Sequence, residues 1–227
     1  EIYTLSLHDA LPIYTHSSVD SWLASIAAKS LGCRVVRTRH VSIPIRRRRA
    51  LVYRLADRII TSGESVRSIV VAAGIAPDRV VSISAGVDGD RFHGGVSGVA
   101  VRAELGLGQA PVAGLVANVR GSKGHNVFLD AARTVLASLP DARFLVVGDG
   151  VGFDEVARRV HDMGLDRSVR LTGFRRDIPA GMAALDVPGR PSIRSGAIPL
   201  GIPQALAGGT PVGASTVGGS PQLLRGG

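Results

Sequence analysis

The sequence predicts an α/β fold with two domains, each built on a parallel β-sheet. Short apolar segments of four to seven residues alternate with segments of helical period along most of the 227 residues. Buried parallel strands have this continuous apolar character, and helices cross over between them. A glycine-rich stretch over residues 93–100 interrupts the alternation, and it indicates a linker between two similar blocks.

The first block begins with an amphipathic helix over residues 19–31, which Gly32 closes. A strand at 34–39 follows, and a run of four arginines at 46–49 then leads into a helix that carries Leu51, Val52 and Leu55. The rest of the block is predicted as a strand at 58–61, a helix at 64–73 ended by Gly74, and a strand at 79–84.

The second block repeats this alternation. Its predicted strands are 111–117, 143–147, 168–172, 184–187 and 211–215, and its predicted helices are 125–139, 154–163 and about 199–208. Pro203 falls inside the last helix, where an interior proline costs about 3 kcal/mol. These patterns predict an N-terminal domain over residues 14–95 and a C-terminal domain over residues 96–227.

The composition is that of a packed globular protein, with 45% hydrophobic and 20% charged residues. Its most apolar stretch, residues 69–77, is shorter than the roughly 20 residues of a membrane-spanning helix. The single cysteine excludes an internal disulfide and fits a reducing, cytoplasmic compartment. The net charge of +9 comes with 25 arginines and two lysines, which is typical of GC-rich genomes and also of phosphate-binding surfaces.

Residues 1–13, EIYTLSLHDALPI, resemble the translation of a sequencing-adapter oligonucleotide read in frame. We expect this segment to be foreign to the natural protein, to pack poorly against it and to carry no function. A native amphipathic start is the alternative. A signal peptide is excluded because the segment contains acidic residues and lacks a basic beginning.

The segment NVRGSKGH, residues 118–125, directly follows a predicted strand and opens a predicted helix. Its glycines let the backbone approach a ligand, while Arg120 and Lys123 place two cations beside a positive helix end. This combination suits a pyrophosphate, although the spacing is not that of a Walker loop and an ordinary basic loop is the alternative. The sequence contains no Asp-x-Asp motif and no closely spaced His/Cys set, so neither a metal site nor a cofactor is predicted.

Nine short motifs follow one another along the chain. They are TRH (38–40), ADRIITSGE (56–64), GVDGDRF (86–92), NVRGSKGH (118–125), FLVVGDG (144–150), VRLTGFRRDIP (169–179), RPS (190–192), ALAGGTPV (205–212) and VGGSPQLL (217–224). In this order and spacing they resemble the retaining glycosyltransferases of family 4, which have the GT-B fold. The resemblance covers nearly everything from residue 14 to residue 227.

This resemblance implies two Rossmann-like domains facing across a cleft, the C-terminal one binding a nucleotide-sugar donor and the N-terminal one an acceptor. It implies that Arg120, Lys123 and Gly124 form the loop that contacts the donor pyrophosphate. It places the nucleobase against the backbone of Gly173 and Phe174. His40 matches a family histidine near the donor sugar and is the predicted catalytic residue, whereas the role of His16 is left open.

The sequence departs from the family at the Glu-x7-Glu motif of the donor site. Gly196 and Gln204 stand where the two glutamates are expected, and only the glutamine can still hydrogen-bond a ribose. The sequence PGR at 188–190 replaces an apolar strand. The opening strands of the first domain and the closing helices of the second are also expected to be missing. We therefore predict little or no transferase activity for this fragment.

The predicted function is transfer of a sugar, with retention, from a nucleotide sugar to a cell-envelope, lipid-linked or saccharide acceptor. The alternatives are another GT-B enzyme, such as a phosphorylase or a sugar-nucleotide epimerase, a non-catalytic nucleotide-binding module, and a nucleic-acid binder. Nucleic acid is not predicted as a partner, because aromatic residues, at 4%, are too few to stack bases. The run Arg46, Arg47, Arg48 and Arg49 is either a solvated helix start or a contact to anionic lipids at the inner face of the membrane.

Overall fold

The computed structural model describes residues 11–16, 18–194 and 199–224. The chain divides into two compact units, which we call the N-terminal unit, ending at Ala85, and the C-terminal unit, beginning at Gly86. Each unit carries its own parallel sheet, which confirms the predicted α/β class. The division precedes residue 95, and the stretch predicted as a linker lies in the C-terminal unit, where Phe92 is buried against Leu107 and Val112.

The N-terminal unit is a four-stranded parallel sheet covered by helices. In order across the sheet its strands are β1 (Ile13–Thr15), β2 (Val35–Arg39), β3 (Arg58–Thr61) and β4 (Val80–Ser82). Its helices are α1 (Ser18–Ser30), α2 (Arg47–Leu55) and α3 (Glu64–Ala72). Val35 and Ile59 from the sheet pack with Val52 and Val70 from the helices to form the core of this unit.

Two features, the end of α1 and the pairing of β1, lie at the beginning of the N-terminal unit. Gly32 ends α1 with a φ of +70°, a conformation that glycine adopts without the cost of a Cβ, as the sequence predicts. Ile13, where the adapter-like segment is expected to end, pairs with Val35 in β1 and packs against the core, whereas Leu11 is exposed. Residues 1–10 lie outside the described residues.

The C-terminal unit is a five-stranded parallel sheet. Its strands are β5 (Val112–Val116), β6 (Arg143–Val147), β7 (Val169–Leu171), β8 (Val187–Arg190) and β9 (Gly213–Ala214). Its helices are α4 (Val99–Glu104), α5 (His125–Ser138), α6 (Phe153–Asp162), α7 (Ile178–Ala183), α8 (Gly201–Ala207) and α9 (Ser220–Leu223). The strand order β7-β6-β5-β8-β9 is that of a doubly wound Rossmann sheet, whose direction of winding reverses between β5 and β8.

Strand β6 shows why the sequence of this sheet is continuously apolar. Phe144 and Val146 pack into one hydrophobic cluster, and Leu145 and Val147 pack into another on the opposite face. Both faces of the strand are therefore buried, as in other parallel sheets covered by helices on each side.

The predicted strand at 184–187 is wrong. Residues 178–183 form α7, and Met182 and Leu185 enter the core from this helix and the turn after it, so the strand begins only at Val187. Pro188 is accommodated because the ladder with β5 ends at this residue, while the ladder with β9 begins at Gly189. The proline therefore lies where one set of backbone hydrogen bonds gives way to the other.

The predicted penalty for Pro203 does not apply. Helix α8 begins at Gly201, so the proline occupies the first turn, where the backbone N–H groups have no partner within the helix. Gln204 is the next residue, and its backbone N–H donates to the carbonyl of Leu200. The helix thus starts later than the sequence pattern suggests and avoids the clash.

Candidate functional site

The loops after β5 and β8 meet where the winding of the C-terminal sheet reverses, which is the usual ligand position in such sheets. The backbone N–H of Ile193 donates to the carbonyl of Ser122 at 3.2 Å and joins the two loops. Gly124 has a φ of +78°, and a Cβ at this residue would lie 1.7 Å from the carbonyl oxygen of Pro191. Only glycine fits here, because the two backbones touch.

Backbone hydrogen bonds extend this surface to the loops after β6 and β7. The N–H of Val119 donates to the carbonyl of Asp149 at 2.9 Å, and the N–H of Gly148 donates to the carbonyl of Gly173, also at 2.9 Å. The carboxyl ends of four neighbouring strands are therefore joined into one connected surface, which we call the donor loops (residues 117–124, 148–152, 172–177 and 191–194).

Three cations crowd the donor loops. Arg120 is exposed, Lys123 is half-buried and Arg190 is 8% exposed. Burial lowers the pKa of the Lys123 ammonium, and the charges of Arg190 and Arg120 lower it further. None of the ion pairs found among the described residues involves these three side chains. The loops therefore hold positive charge that the described part of the protein does not neutralise.

His125 is the first residue of α5 and lies directly beneath this charge. It is 4% exposed, and neither ring nitrogen has a hydrogen-bond partner among the described residues. Burial lowers the pKa of its imidazole to about 4, with further lowering by Arg190 and Lys123. The ring is thus neutral at pH 7, and the positive end of a 14-residue helix adds to the field of the three cations.

The structure brings the predicted residues Arg120, Lys123 and Gly124 together in one loop. Arg190 and His125 were not among the residues predicted for this site. His125 is the last residue of the basic motif and the first residue of the predicted helix, and this position was the signal that could have identified it. Nothing in the sequence shows that Arg190, between a proline-glycine pair and another proline, is buried beside Lys123.

The remaining predicted donor residues are more scattered. Gly173, with a φ of +67°, bonds through its carbonyl to Gly148, and the side chain of Phe174 is 71% exposed. Gln204, predicted to contact the ribose, lies on α8 and lines a small cavity with Phe92 and His93. Gly196 lies outside the described residues.

The N-terminal unit holds the predicted catalytic histidine. His40 follows the end of β2 and is exposed, and its Nε2 lies 3.3 Å from Nδ1 of His16. The two rings stack, with centroids 5.6 Å apart. Both histidines line a cavity of about 740 Å³ within this unit.

Two properties concern the described residues as a whole. They contain no group of three or more His, Cys, Asp or Glu side chains arranged to hold a metal ion. Of the helices formed by these residues, none has the length and apolar character needed to cross a membrane.

Solved structures share this fold. HepE from Anabaena, crystallised in complex with UDP, superposes with a TM-score of 0.86 at 24% identity, over 96% of this chain and 63% of that one. A glycosyltransferase from Rickettsia africae superposes with a TM-score of 0.87 at 19% identity, over 96% of this chain and 61% of that one. These similarities confirm the predicted GT-B fold class, with its two Rossmann-like domains.

Curated relatives include the UDP-Gal:alpha-D-GlcNAc-diphosphoundecaprenol alpha-1,3-galactosyltransferase of Escherichia coli, which is 29% identical over 94% of this chain and 59% of its own length. The 2-deoxystreptamine glucosyltransferase of Streptomyces kanamyceticus is 33% identical over 73% of this chain and 44% of its own length. The chain thus spans about half of these relatives.

The family models match both units. Residues 9–91 match the model described as Glycosyltransferase Family 4, and residues 110–227 match the model described as Glycosyl transferases group 1. The motifs, the sheet order and these matches agree, and the chain belongs to the group 1 glycosyltransferases.

Proposed function

We propose that this chain is the core of a retaining glycosyltransferase that moves a sugar from a nucleotide sugar to a cell-envelope, lipid-linked or saccharide acceptor. The observation that carries the proposal is the group of Arg120, Lys123 and Arg190 around the start of α5, which has no ion pairs among the described residues. A nucleoside diphosphate is the ligand that best matches this charge and this position in the sheet.

The chemistry follows from the charge that develops during transfer. As the bond between the sugar carbon and the diphosphate oxygen breaks, negative charge grows on the leaving phosphate. Lys123 and Arg120, fixed on the loop, stabilise that charge, as does the positive end of α5. His125 stays neutral, so it contributes hydrogen-bonding nitrogens without adding to the repulsion among the cations.

We assign the nucleobase to Gly173 and Phe174, whose loop is bonded to the rest of the donor loops through Gly148. A uridine nucleotide is the first choice, because the Escherichia coli relative is named for UDP-Gal and HepE was crystallised with UDP. Gln204 and Gly196 are the assigned positions for the ribose and the donor sugar.

We assign His40 to the transferred sugar, with His16 as its neighbour. Two features support this: His40 lies at the carboxyl end of a parallel strand, and it opens onto the cavity of the N-terminal unit. We also propose that the protein is cytoplasmic and peripheral to the membrane. In this position the exposed Arg46, Arg48 and Arg49 contact anionic headgroups.

Replacement of Lys123 by alanine tests the diphosphate assignment. We expect the affinity for UDP, measured by calorimetry, to fall by about 1.5–3 kcal/mol, because a charge-assisted contact is lost. The control is Arg133→Ala, which removes an exposed arginine on the outer part of α5 and is expected to leave the affinity unchanged. Equal UDP affinities for Lys123→Ala and the unmodified chain would refute the proposal.

A second function, nucleotide binding without transfer, is favoured by Gly196, which lacks a side chain to hold the donor sugar. Turnover of a full-length protein with glycine or glutamate at position 196 distinguishes the two. A transferase that depends on this carboxylate gains activity in the Gly196→Glu form, whereas Gly196→Glu in the 227-residue chain alone is not expected to produce activity. Equal rates in the full-length pair would show that the carboxylate is unimportant.

A further inference from the structure

The cavity of about 740 Å³ in the N-terminal unit has a composition that the donor chemistry does not explain. It opens at the carboxyl ends of β1 and β2, beside His16 and His40. Part of its wall is apolar and includes Val19, Trp22, Leu23, Ile43 and Val52. The other part carries three arginines, Arg37, Arg39 and Arg49. The cavity thus combines an apolar surface with concentrated positive charge.

Arg37 is the unusual member of this wall. It is 5% exposed, and its guanidinium carbon lies 4.0 Å from the centroid of the Tyr53 ring. Its Nε and Nη1 atoms have no hydrogen-bond partner among the described residues, and burial lowers the pKa of the guanidinium. A buried cation with unpaired donors is costly, so a nearby anion would be strongly favoured.

Arg39 and Tyr53 fix the position of this charge. Arg39 donates through Nη1 to the Tyr53 hydroxyl and through Nη2 to the carbonyl of Ile43. Arg39 therefore holds the Tyr53 hydroxyl, and Arg37 lies over the Tyr53 ring in a cation–π contact that stabilises its position. Arg49 stands exposed at the edge of the cavity and adds a third charge.

None of the ion pairs among the described residues includes Arg37, Arg39 or Arg49. Asp20 acts on the pKa of Arg37, but its effect is the smallest of those that do. Three guanidinium groups call for a ligand with more than one negative charge, and a phosphate monoester carries about −1.5 to −2 at pH 7.

We propose that this cavity binds a phosphate group of the acceptor, with Arg37 and Arg49 recognising the phosphate and the Arg39–Tyr53 contact holding Arg37 in place. The proposal rests on the proposed glycosyltransferase function, because it assigns the substrate class of the acceptor side. Guanidinium forks match phosphate oxygens in geometry as well as charge. The volume leaves space for a sugar or an apolar chain attached to the phosphate, alongside Trp22 and Leu23.

Calorimetric titration of the whole chain, with UDP present throughout at saturating concentration, tests this site. The probes are farnesyl phosphate, glucose 1-phosphate and inorganic phosphate, with farnesol and glucuronate as the uncharged and carboxylate comparisons. We expect the phosphate compounds to bind and farnesol to bind at least about tenfold more weakly than farnesyl phosphate. Tighter binding of farnesyl phosphate than of glucose 1-phosphate would indicate that the phosphate belongs to a lipid-linked acceptor. Tighter binding of glucose 1-phosphate would indicate a soluble sugar phosphate. Glucuronate binding as tightly as glucose 1-phosphate would overturn the assignment to phosphate.

Variants locate the binding within the molecule. Arg37→Gln is expected to weaken binding of the phosphate probes at least about tenfold. Arg34→Gln, at an exposed position outside the cavity, is expected to leave their affinity unchanged. If Arg37→Gln loses its circular dichroism signal, Arg49→Gln takes its place, since that side chain is exposed, and unchanged binding in a folded variant refutes the site.

The two proposals fail in different ways. If Lys123→Ala loses phosphate binding and Arg37→Gln retains it, the probes bind at the donor loops. That result would overturn this inference alone. Failure of the chain to bind UDP, with phosphate binding still sensitive to Arg37→Gln, would instead overturn the donor assignment and leave the phosphate site standing.

Discussion

Arg102 and Arg190 lie in the same unit, and both are largely buried, yet their surroundings differ. Arg102 donates to the carbonyls of Ala184, Gly108 and Ala110 at 2.9, 3.3 and 3.1 Å, and it pairs with Asp186 at 2.8 Å. Among the described residues, the guanidinium of Arg190 makes one hydrogen bond, to the carbonyl of Val116 at 3.0 Å, and its Nε has no partner.

This difference separates arginines that hold the fold from arginines available to a ligand. Arg175 belongs with Arg102, because it bonds to both Glu104 and Asp177, and these carboxylates raise its pKa. The 25 arginines of the chain therefore do not form one functional class. Hydrogen-bond partners, rather than charge, distinguish the two kinds.

The largest effect expected from this comparison is on stability. Arg102→Met removes four hydrogen bonds at about 1 kcal/mol each, so we expect the free energy of unfolding to fall by roughly 4 kcal/mol. Urea denaturation measures this change. UDP affinity of the folded variant should match that of the unmodified chain, and a loss of affinity would show that the two classes of arginine are not separate.

A somewhat smaller effect is expected from pH. The pKa of His125 is about 4 in the folded state and 6.5 in the unfolded state, so between these values the unfolded state binds more protons. Lowering the pH from 6.5 to 4 therefore decreases the free energy of unfolding, by up to about 3 kcal/mol from this group. Denaturation across this range, in the unmodified chain and in His125→Leu, isolates the contribution.

The matched control for this pH effect is His161→Leu, since the side chain of His161 is 80% exposed. It should keep the pH dependence that His125→Leu loses. If both variants retain it, the burial of His125 does not carry the effect.

The smallest effect is expected at Arg190. Arg190→Met removes a buried guanidinium that makes a single hydrogen bond to the described part of the chain, so the free energy of unfolding should stay within about 1 kcal/mol of the original. UDP affinity should fall by about 1 kcal/mol, because the field of Arg190 on the bound anion is lost. Calorimetry and denaturation of the same preparation measure both, and a large loss of stability would move Arg190 into the class of Arg102.

The sequence predicted regular elements well where periodicity and breakers agreed. Residues 143–147 and 58–61 are strands with the predicted bounds, because apolar side chains face both sides of the sheet. Around α7 and β8 the prediction was wrong, since short-range signals favour a strand at Ala184 whereas core packing places Leu185 in a turn. The charge at Lys123 was predictable, but its interaction with Arg190 depends on two strands that meet only in the folded sheet.

The hydrogen bonds that join the donor loops have a consequence for how this family diversifies. They link main-chain atoms of Val119 to Asp149 and of Gly148 to Gly173, so they do not depend on the side chains at the exposed positions 120 and 174. Arg120 and Phe174 project from this framework and are exposed. Under the proposed assignment of the base to Phe174, substitution at this position would change base preference without disturbing the main-chain framework, so that donor preference and fold could evolve separately.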